Sequence, residues 1–409
     1  MNDERTATVI GGGPAGLMAA EVLAGAGFAV NVYEHMPSAG RKLLLAGRSG
    51  LNLTHGEPLE QLLSRYGHAP QVAAAVRAFT PDHLRAWAAE LGSTTFVGST
   101  GRVFPTAMRA TPLLRAWLAR LTEAGVRLHT RHRWLGWAAA GPRPTILVRT
   151  PSGNTAAITS DVVVFALGGA TWPRVGSDGS WVDTFAAAGV DVRPLRPSNC
   201  GLLVQWSSHF ATEHAGAPLK NVAVGVGGRW ARGDVTITAH GIESGPVYTL
   251  SALARDAIDA TGSCTIDIDL LPDLAAPEVL ARIARRRPKD SLSNTLRRTL
   301  GLSPLAVAFL REATGNVVPT EAKALATLVK CVPVVVTATA GIERAISSAG
   351  GIALTEITDG FMLRQLPGQF IAGEMLDWDA PTGGYLLQAS FSTGVAAARA
   401  ATAWVTDGG

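Results

Sequence analysis

The sequence predicts an α/β protein: a Rossmann-like domain with a parallel sheet, an inserted antiparallel, β-barrel-like domain, and a small helical domain. Three observations carry this prediction. The chain opens with a strand, a glycine turn, a helix and a second strand. Residues 200–250 are short β-type runs broken by Gly and Pro, and residues 276–330 are rich in Ala, Leu and Arg at helical spacing.

The opening unit has the pattern of a dinucleotide-binding turn. An apolar strand over residues 7–10 leads into Gly11, which permits a tight turn. Gly13 allows the backbone to approach a pyrophosphate, and Gly16 allows the helix to pack closely on the strand. Glu34 ends the second strand, where it would accept hydrogen bonds from ribose hydroxyls and disfavour NADP. This pattern leaves FAD and NAD as alternatives, beside a chance glycine turn in an ordinary βαβ unit.

A second strand end supports the same site. Residues 162–167 form a continuous apolar run that ends in Gly168 and Gly169, as expected of a buried strand that something approaches closely. Ligands of open α/β sheets bind beyond the carboxyl ends of the strands. We therefore expect Leu167, Gly168 and Gly169 to lie near the dinucleotide.

Composition narrows the class of protein. The 409 residues are 47% hydrophobic and 17% charged with a net charge of +4, which excludes a disordered chain and suggests two or three domains. The three cysteines, Cys200, Cys264 and Cys331, form no C-x-x-C pair, so neither a metal site nor a dithiol centre is expected. With no signal peptide and no apolar run of membrane-spanning length, we expect a cytoplasmic protein.

Changes in residue composition and spacing along the chain predict the domain boundaries. The Rossmann-like, cofactor-binding domain is expected over residues 1–190 plus 341–409. The inserted β domain is expected over residues 191–265 plus 331–340, and the helical domain over residues 266–330. With these boundaries, the last strand and helix of the chain belong to the cofactor-binding domain again and complete its cofactor site.

Motifs extend along nearly the whole chain: GRKLL (40–44) with NLT (52–54), LGGATWP (167–173) with GSDG (176–179), LKNV (219–222), TAHGIESGP (238–246), PVVVT (333–337), GIERA (341–345), AGGI (349–352) and GEMLDWDAPTGGYLLQ (373–388). With these motifs the chain resembles the aminoacetone oxidase-like family of bacterial FAD flavoproteins, which also includes bile-acid enone-reductase-type members. One segment departs from the family: residues 46–52 read AGRSGLN where members often carry a glycine run followed by Arg-Cys-Asn.

The resemblance implies a non-covalently bound FAD and a Rossmann-like FAD-binding domain carrying the two inserted domains. Gly383 and Gly384 precede a helix of small residues, whose free N–H groups would stabilise negative charge on the reduced flavin. The residues expected to bind the cofactor are Gly11, Gly13, Pro14, Ala15, Gly16, Glu34, Arg41, Lys42, Gly47, Asn52, Thr54, Arg133, Trp134, Leu167, Gly168, Gly169, Gly373, Glu374, Gly383, Gly384, Tyr385 and Leu386.

The sequence predicts an FAD-dependent oxidoreductase acting on a small organic substrate, by amine oxidation or by enone-type reduction. No second glycine fingerprint is present, so NAD(P)H or O2 would act only transiently. His240 and Tyr385 are the candidate proton-transferring residues. The alternatives are a flavoprotein associated with tRNA or other nucleic acid, suggested by the basic cluster at residues 282–298, and a non-catalytic redox sensor. Of these partners nucleic acid is the less expected, and the oligomeric state is open.

Overall fold

The computed structural model of the chain describes residues 4–48, 50–138, 141–287, 289 and 291–408. It divides into two compact units, residues 1–196 with 347–409 and residues 197–346. The expected split of the insert into a β domain and a helical domain stays a prediction. Within the described ranges, no helix has both the length and the apolar character that crossing a membrane requires.

The helices and strands follow one another closely along the chain. The strands are Thr6–Ile10 (β1), Ala29–Glu34 (β2), Thr54–His55 (β3), Thr95–Val97 (β4), Arg102–Pro105 (β5), Arg127–Thr130 (β6), Arg133–Trp137 (β7), Thr145–Arg149 (β8), Thr155–Thr159 (β9), Val162–Phe165 (β10), Val192–Ser198 (β11), Leu202–Leu203 (β12), Pro218–Val226 (β13), Arg229–Thr238 (β14), Gly241–Glu243 (β15), Cys264–Asp269 (β16), Val332–Val336 (β17), Ala338–Thr339 (β18), Ser347–Ile352 (β19) and Gln369–Ile371 (β20). The α-helices are Pro14–Gly25 (α1), Arg41–Ala46 (α2), Leu59–Ser64 (α3), Pro70–Ala78 (α4), Pro81–Glu90 (α5), Ala110–Glu123 (α6), Val182–Ala187 (α7), Ser208–His214 (α8), Gly245–Thr261 (α9), Ala276–Ala284 (α10), Leu292–Leu300 (α11), Pro304–Ala313 (α12), Ala322–Lys330 (α13) and Tyr385–Thr406 (α14).

The first unit is built on a parallel five-stranded sheet in the order β20-β10-β1-β2-β6. All four residues of β10 are fully buried, which explains why this strand is continuously apolar rather than alternating. Helices α1 and α14 pack against each other, and a Cβ on Gly394 of α14 would collide with the carbonyl of Ala15. The small residues of α14 therefore allow a close helix contact beside the glycine turn.

The second unit contains an antiparallel seven-stranded sheet in the order β17-β16-β13-β14-β15-β12-β18. Strands β17 and β18 are separated only by Thr337, yet they pair at opposite ends of this order. One chain segment thus bridges both edges of the sheet, which is the barrel-like arrangement expected. Residues 264–269 form strand β16. The next helix of the insert, α10, therefore begins at Ala276. This unit has a hydrophobic core of its own, which includes Ile268 and Phe309.

Candidate functional site

The glycine turn after β1 has the geometry that its sequence predicts. Gly11 adopts φ +107°, and a Cβ there would collide with the carbonyl of Ala166 at the end of β10. A Cβ on Gly16 would collide with the carbonyl of Gly11. Gly13 differs from both, because a Cβ on it would meet no protein atom within 4 Å. Gly11 and Gly16 therefore shape the turn, whereas Gly13 faces open space.

A cavity of about 680 Å³, which we call the glycine cleft, opens at the carboxyl ends of β1, β10 and β20. This is the edge at which open α/β sheets bind ligands. It brings together segments that are far apart in sequence. Its lining residues are Gly11, Gly12, Gly13, Pro14, Ala15, Glu34, His35, Ser38, Gly40, Arg41, Lys42, Ala166, Leu167, Gly168, Val175, Gly176, Ser177, Ala372, Gly373, Glu374 and Ser390.

A second cavity of about 860 Å³, which we call the tryptophan cleft, adjoins the first. The two share Gly11, His35, Leu167 and Gly176, so they form one elongated groove across the sheet edge. The remaining lining residues of the tryptophan cleft are Ile10, Tyr33, His132, Arg133, Trp134, Leu135, Arg149, Asp178, Ser180, Trp181 and Thr184.

Glu34 lies at the wall of the groove with only 8% of its surface exposed. The N–H of Gly12 donates to its Oε2 at 2.8 Å, and the N–H of Met36 donates to its Oε1 at 2.7 Å. These bonds fix the carboxylate against the glycine turn. Oε1 also faces His35 Nδ1 at 3.3 Å, whereas Oε2 keeps a second lone pair, as acceptance of a ribose hydroxyl requires.

Several buried polar atoms along the groove have no hydrogen-bond partner among the described residues. They are Arg41 Nε and Ser177 Oγ in the glycine cleft, and Trp134 Nε1 in the tryptophan cleft. Such atoms are costly to bury unless something pairs with them. Together with the open cradle at Gly13 and the free N–H groups at the start of α1, they fit an elongated, anionic dinucleotide such as FAD.

Lys42 and Glu374 form an ion pair in the wall of the glycine cleft. Lys42 Nζ lies 2.7 Å from Glu374 Oε2 and donates to Thr171 Oγ1 at 2.5 Å. Glu374 Oε1 accepts a hydrogen bond of 2.8 Å from the N–H of Ser348, and Ser348 Oγ accepts one of 2.8 Å from the N–H of Ala170. The pair therefore ties together four segments of the first unit.

The start of α14 is held by a second polar group. Tyr385 is 5% exposed, its hydroxyl donates to Glu57 Oε1 at 2.7 Å, and its ring stacks on His55 at 5.1 Å between centroids. Arg65 completes the group through bonds of 2.8 and 3.2 Å to Glu57. A Cβ on Gly384 would collide with the carbonyl of Thr54, so the loop before α14 can pack here only as glycine.

The pKa values of this group follow from its bonds. Burial by itself raises the pKa of Glu57, but hydrogen bonds from Arg65 and Tyr385 outweigh it and hold that pKa below its ordinary value. Burial and the bond to Glu57 raise the pKa of Tyr385 well above its ordinary value. Tyr385 therefore remains protonated at neutral pH.

Two predicted residues flank this group. Thr54 is fully buried, and its hydroxyl donates to Gln388 Oε1 at 2.6 Å, which accounts for its position. Asn52 is half-buried, and its Oδ1 has no hydrogen-bond partner among the described residues. Of the two side chains, Asn52 is the one left free to bind a ligand.

The predicted site residues fall into three groups according to their position in the structure. Those that line the groove are Gly11, Gly13, Pro14, Ala15, Glu34, Arg41, Lys42, Arg133, Trp134, Leu167, Gly168, Gly373 and Glu374. Those outside both lining sets but in the first unit are Gly16, Gly47, Asn52, Thr54, Gly169, Gly383, Gly384, Tyr385 and Leu386. His240 belongs to the second unit, exposed in the turn between β14 and β15.

Sequence reasoning missed several lining residues. His35 and Ser38 follow Glu34 in an irregular segment that has no fingerprint of its own. Gly176, Ser177 and Asp178 had a signal, because they belong to the GSDG segment that resembles the flavoprotein family. Their approach to Gly168 and His35 is a tertiary contact that spacing along the chain does not reveal.

Curated relatives match nearly the full length of the chain. A 3-dehydro-bile acid delta(4,6)-reductase of Clostridium scindens is 26% identical, with 96% of this chain and 98% of that protein aligned. A ribosomal RNA dihydrouridine synthase of Haemophilus influenzae is 23% identical, with 95% of this chain and 96% of that protein aligned.

Solved structures share the fold. The 3-ketosteroid-delta4-(5alpha)-dehydrogenase of Rhodococcus jostii RHA1 superposes with a TM-score of 0.52 and 16% identity, covering 98% of this chain and 97% of that one. The 3-ketosteroid delta1-dehydrogenase of Sterolibacterium denitrificans superposes with a TM-score of 0.53 and 12% identity, covering 98% of this chain and all of that one. At these identities the likeness concerns the fold alone.

The family comparison covers the glycine turn, the insert and the closing helix together. The model described as the HI0933-like protein Rossmann domain matches residues 5–400. This range includes both clefts and both units of the structure. The chain belongs to the HI0933-like family of Rossmann-domain proteins.

Proposed function

We propose that the protein is an FAD-dependent oxidoreductase that acts on a small organic molecule. The observation that carries this proposal is the elongated groove, where three separated backbone segments converge beside unpartnered polar atoms. Membership of the HI0933-like family supports it, as does the fold shared with two 3-ketosteroid dehydrogenases. A cytoplasmic location and transient use of NAD(P)H or O2 belong to the same proposal.

The reaction we favour is reduction of a carbon–carbon double bond conjugated to a carbonyl. One relative is named for a 3-dehydro bile acid with double bonds at positions 4 and 6, and the other for making dihydrouridine. A 3-oxo-4,6-diene and the C5–C6 bond of uracil share this conjugated unit. Amine oxidation, the other reaction that the sequence leaves open, would need a different substrate and O2 as the acceptor.

Bound FAD supplies the hydride chemistry, and the chain's own residues bind and orient. The N–H groups at the start of α1 and the Arg41 side chain would hold the pyrophosphate. Glu34 would hold the ribose hydroxyls, and Arg133 with Trp134 the adenine end. Asn52 and the N-terminus of α14 would bind the edge of the flavin ring.

The proton that such a reduction requires has two candidate sources. Tyr385 lies at the start of α14, and burial together with its bond to Glu57 raises the pKa of its hydroxyl, which is protonated at neutral pH. His240 remains the other candidate, on the second unit. A Tyr385→Phe variant that keeps flavin bleaching but loses substrate turnover would assign the proton to Tyr385; equal turnover would remove Tyr385 from this role.

The experiment is anaerobic mixing of the FAD-loaded protein with NADH or NADPH, followed by a conjugated enone of steroid size. We expect bleaching of the flavin absorbance by one pyridine nucleotide and its recovery on adding the enone. Bleaching by primary amines together with no response to either nucleotide would favour the oxidase instead. A protein that retains no FAD after reconstitution would contradict the proposal.

RNA is the second candidate substrate. The name of the Haemophilus influenzae relative favours it, as do the exposed cations Arg285, Arg287 and Lys289 after α10. Binding of RNA that weakens steeply with salt would support this reading. Absence of binding at low salt would remove it and leave the small-molecule substrate.

A further inference from the structure

The Lys42–Glu374 ion pair lies in the glycine cleft, at one end of the groove. Both residues line the glycine cleft together with Gly373 and Ser390, and neither lines the tryptophan cleft. A dinucleotide with its pyrophosphate at the start of α1 and its adenine end towards Trp134 therefore extends its other half past this pair. Under the proposed function, that half carries the flavin.

The charge of Lys42 is compensated within the protein. Its side chain is 28% exposed and that of Glu374 is 17% exposed, so the 2.7 Å pair is largely shielded from solvent. At this separation the opposite charge cancels most of the field that a lone ammonium would exert on its surroundings. Among the described lining residues of the glycine cleft, Arg41 is the other Lys or Arg side chain, and it is the one left to face the two negative charges of the pyrophosphate.

Neutralisation of Lys42 affects how readily O2 can act as the electron acceptor. Reoxidation of a two-electron-reduced flavin by O2 returns oxidised flavin and hydrogen peroxide, with the two protons coming from the reduced flavin and solvent. The first electron converts O2 into the superoxide anion. A fixed cation nearby stabilises that anion, whereas a neutral ion pair does so much less.

We propose that Glu374, by neutralising Lys42, keeps the reduced flavin slow towards O2 and so reserves its electrons for an organic acceptor. Glu374 is in this sense a specificity-determining residue for the acceptor. The inference rests on the proposed function and separates a reductase from an oxidase within it. A merely structural pair would instead affect the stability of the cleft wall and leave the flavin's potential unchanged.

The test compares four FAD-loaded proteins by anaerobic reduction, stopped-flow mixing with O2 and measurement of the flavin midpoint potential. In Glu374→Gln we expect reoxidation to accelerate by about tenfold or more, as an unpaired charge in a shielded site allows, and the midpoint potential to rise. In the double variant Lys42→Met with Glu374→Gln, both quantities should return close to the wild-type values. Lys42→Met alone leaves the Glu374 carboxylate unpaired, so reoxidation should slow and the midpoint potential should fall.

Glu21→Gln is the matched control. It removes a carboxylate that is 18% exposed and paired with Arg120 at 3.0 Å in the same unit, but Glu21 lines neither cleft. It should lower the melting temperature and leave the reoxidation rate and the potential unchanged. This control separates loss of a buried ion pair in general from loss of the pair beside the flavin.

Three outcomes would overturn the inference. The first is a Glu374→Gln protein with wild-type reoxidation and potential. The second is a double variant that reoxidises as fast as Glu374→Gln. The third is reoxidation of Lys42→Met at or above the wild-type rate, a result that tests the inference even where Glu374→Gln does not fold. In each of these cases the proposed function stands, whereas a wild-type protein that loads no FAD overturns the proposed function and the inference together.

Discussion

Single glycines near the start of α1 have separable roles. Gly16 has no room for a side chain, because a Cβ would collide with the carbonyl of Gly11. Gly13 has room within the protein, since nothing lies within 4 Å of its Cβ position. The fingerprint therefore combines a residue needed for packing with one needed for the ligand.

Gly13→Ala should fold normally and bind FAD poorly. Gly13 is the N-cap of α1, where alanine is less favourable than glycine, so the free energy of unfolding should fall by no more than about 1 kcal/mol. The added methyl group occupies the space of the pyrophosphate. Urea unfolding of the apoprotein and fluorescence titration with FAD measure the two quantities. Gly25→Ala is the control, because it adds the same methyl at the exposed end of α1. Unchanged FAD affinity in Gly13→Ala would contradict the placement of the pyrophosphate.

Helix α14 shows how an element is positioned by residues distant in sequence. The pair Gly383 and Gly384 predicts a helix beginning near Tyr385, and α14 does begin there. The anchoring of that start by Glu57 and Arg65 was not predicted, because those residues lie more than 300 positions earlier and carry no motif. Local chemistry thus indicated the helix, and packing decided what holds it.

Acid should reduce the contribution of Glu57 to the free energy of unfolding. The pKa of folded Glu57 lies below its ordinary value of 4.5, so the unfolded chain binds the proton more tightly. The stabilisation by Glu57 is therefore complete above that ordinary value and is lost as pH falls through the lowered folded pKa. We expect the stability difference between wild type and Glu57→Gln to shrink from about pH 6 to pH 3, as measured by urea unfolding.

Glu123→Gln serves as the comparison for this experiment, since Glu123 is exposed at the end of α6. Its stability difference from the wild type should be small at every pH. A Glu57→Gln difference that stays constant on acidification would show that the carboxylate does not depend on Arg65 and Tyr385 as described.

At the scale of the whole molecule, two hydrophobic cores correspond to the two units. One includes Val163, Phe391 and Ile371, and the other includes Ile268 and Phe309. All described residues that line the two clefts of the groove belong to the first unit. Ligand binding to the groove therefore stabilises the first unit directly.

Calorimetry should distinguish the unit that binds the ligand from the unit that does not. We expect two unfolding transitions, of which only one moves upwards when FAD is added to the apoprotein. At a free FAD concentration of a hundred times Kd the gain is about 2.7 kcal/mol. In Gly13→Ala the same addition should leave both transitions in place. Equal shifts of both transitions in the wild type would contradict independent cores.

The sequence by itself determined the features whose signals are local. The βαβ unit, its glycine turn, the buried strand ending in Gly168 and the helix starting at Tyr385 each depend on residues that are neighbours along the chain. The family motifs added FAD and the class of oxidoreductase, and the match over residues 5–400 agrees with them.

Only the tertiary structure decided how these segments meet. Lys42 was expected to bind the cofactor, but folding places its ammonium group against Glu374, 332 positions later, and so cancels its charge. The extent of the groove and the anchor of Tyr385 likewise arise from contacts between distant segments. Backbone propensity acts over a few residues, whereas these partners are chosen by packing across the whole unit, so spacing in the sequence carries no record of them.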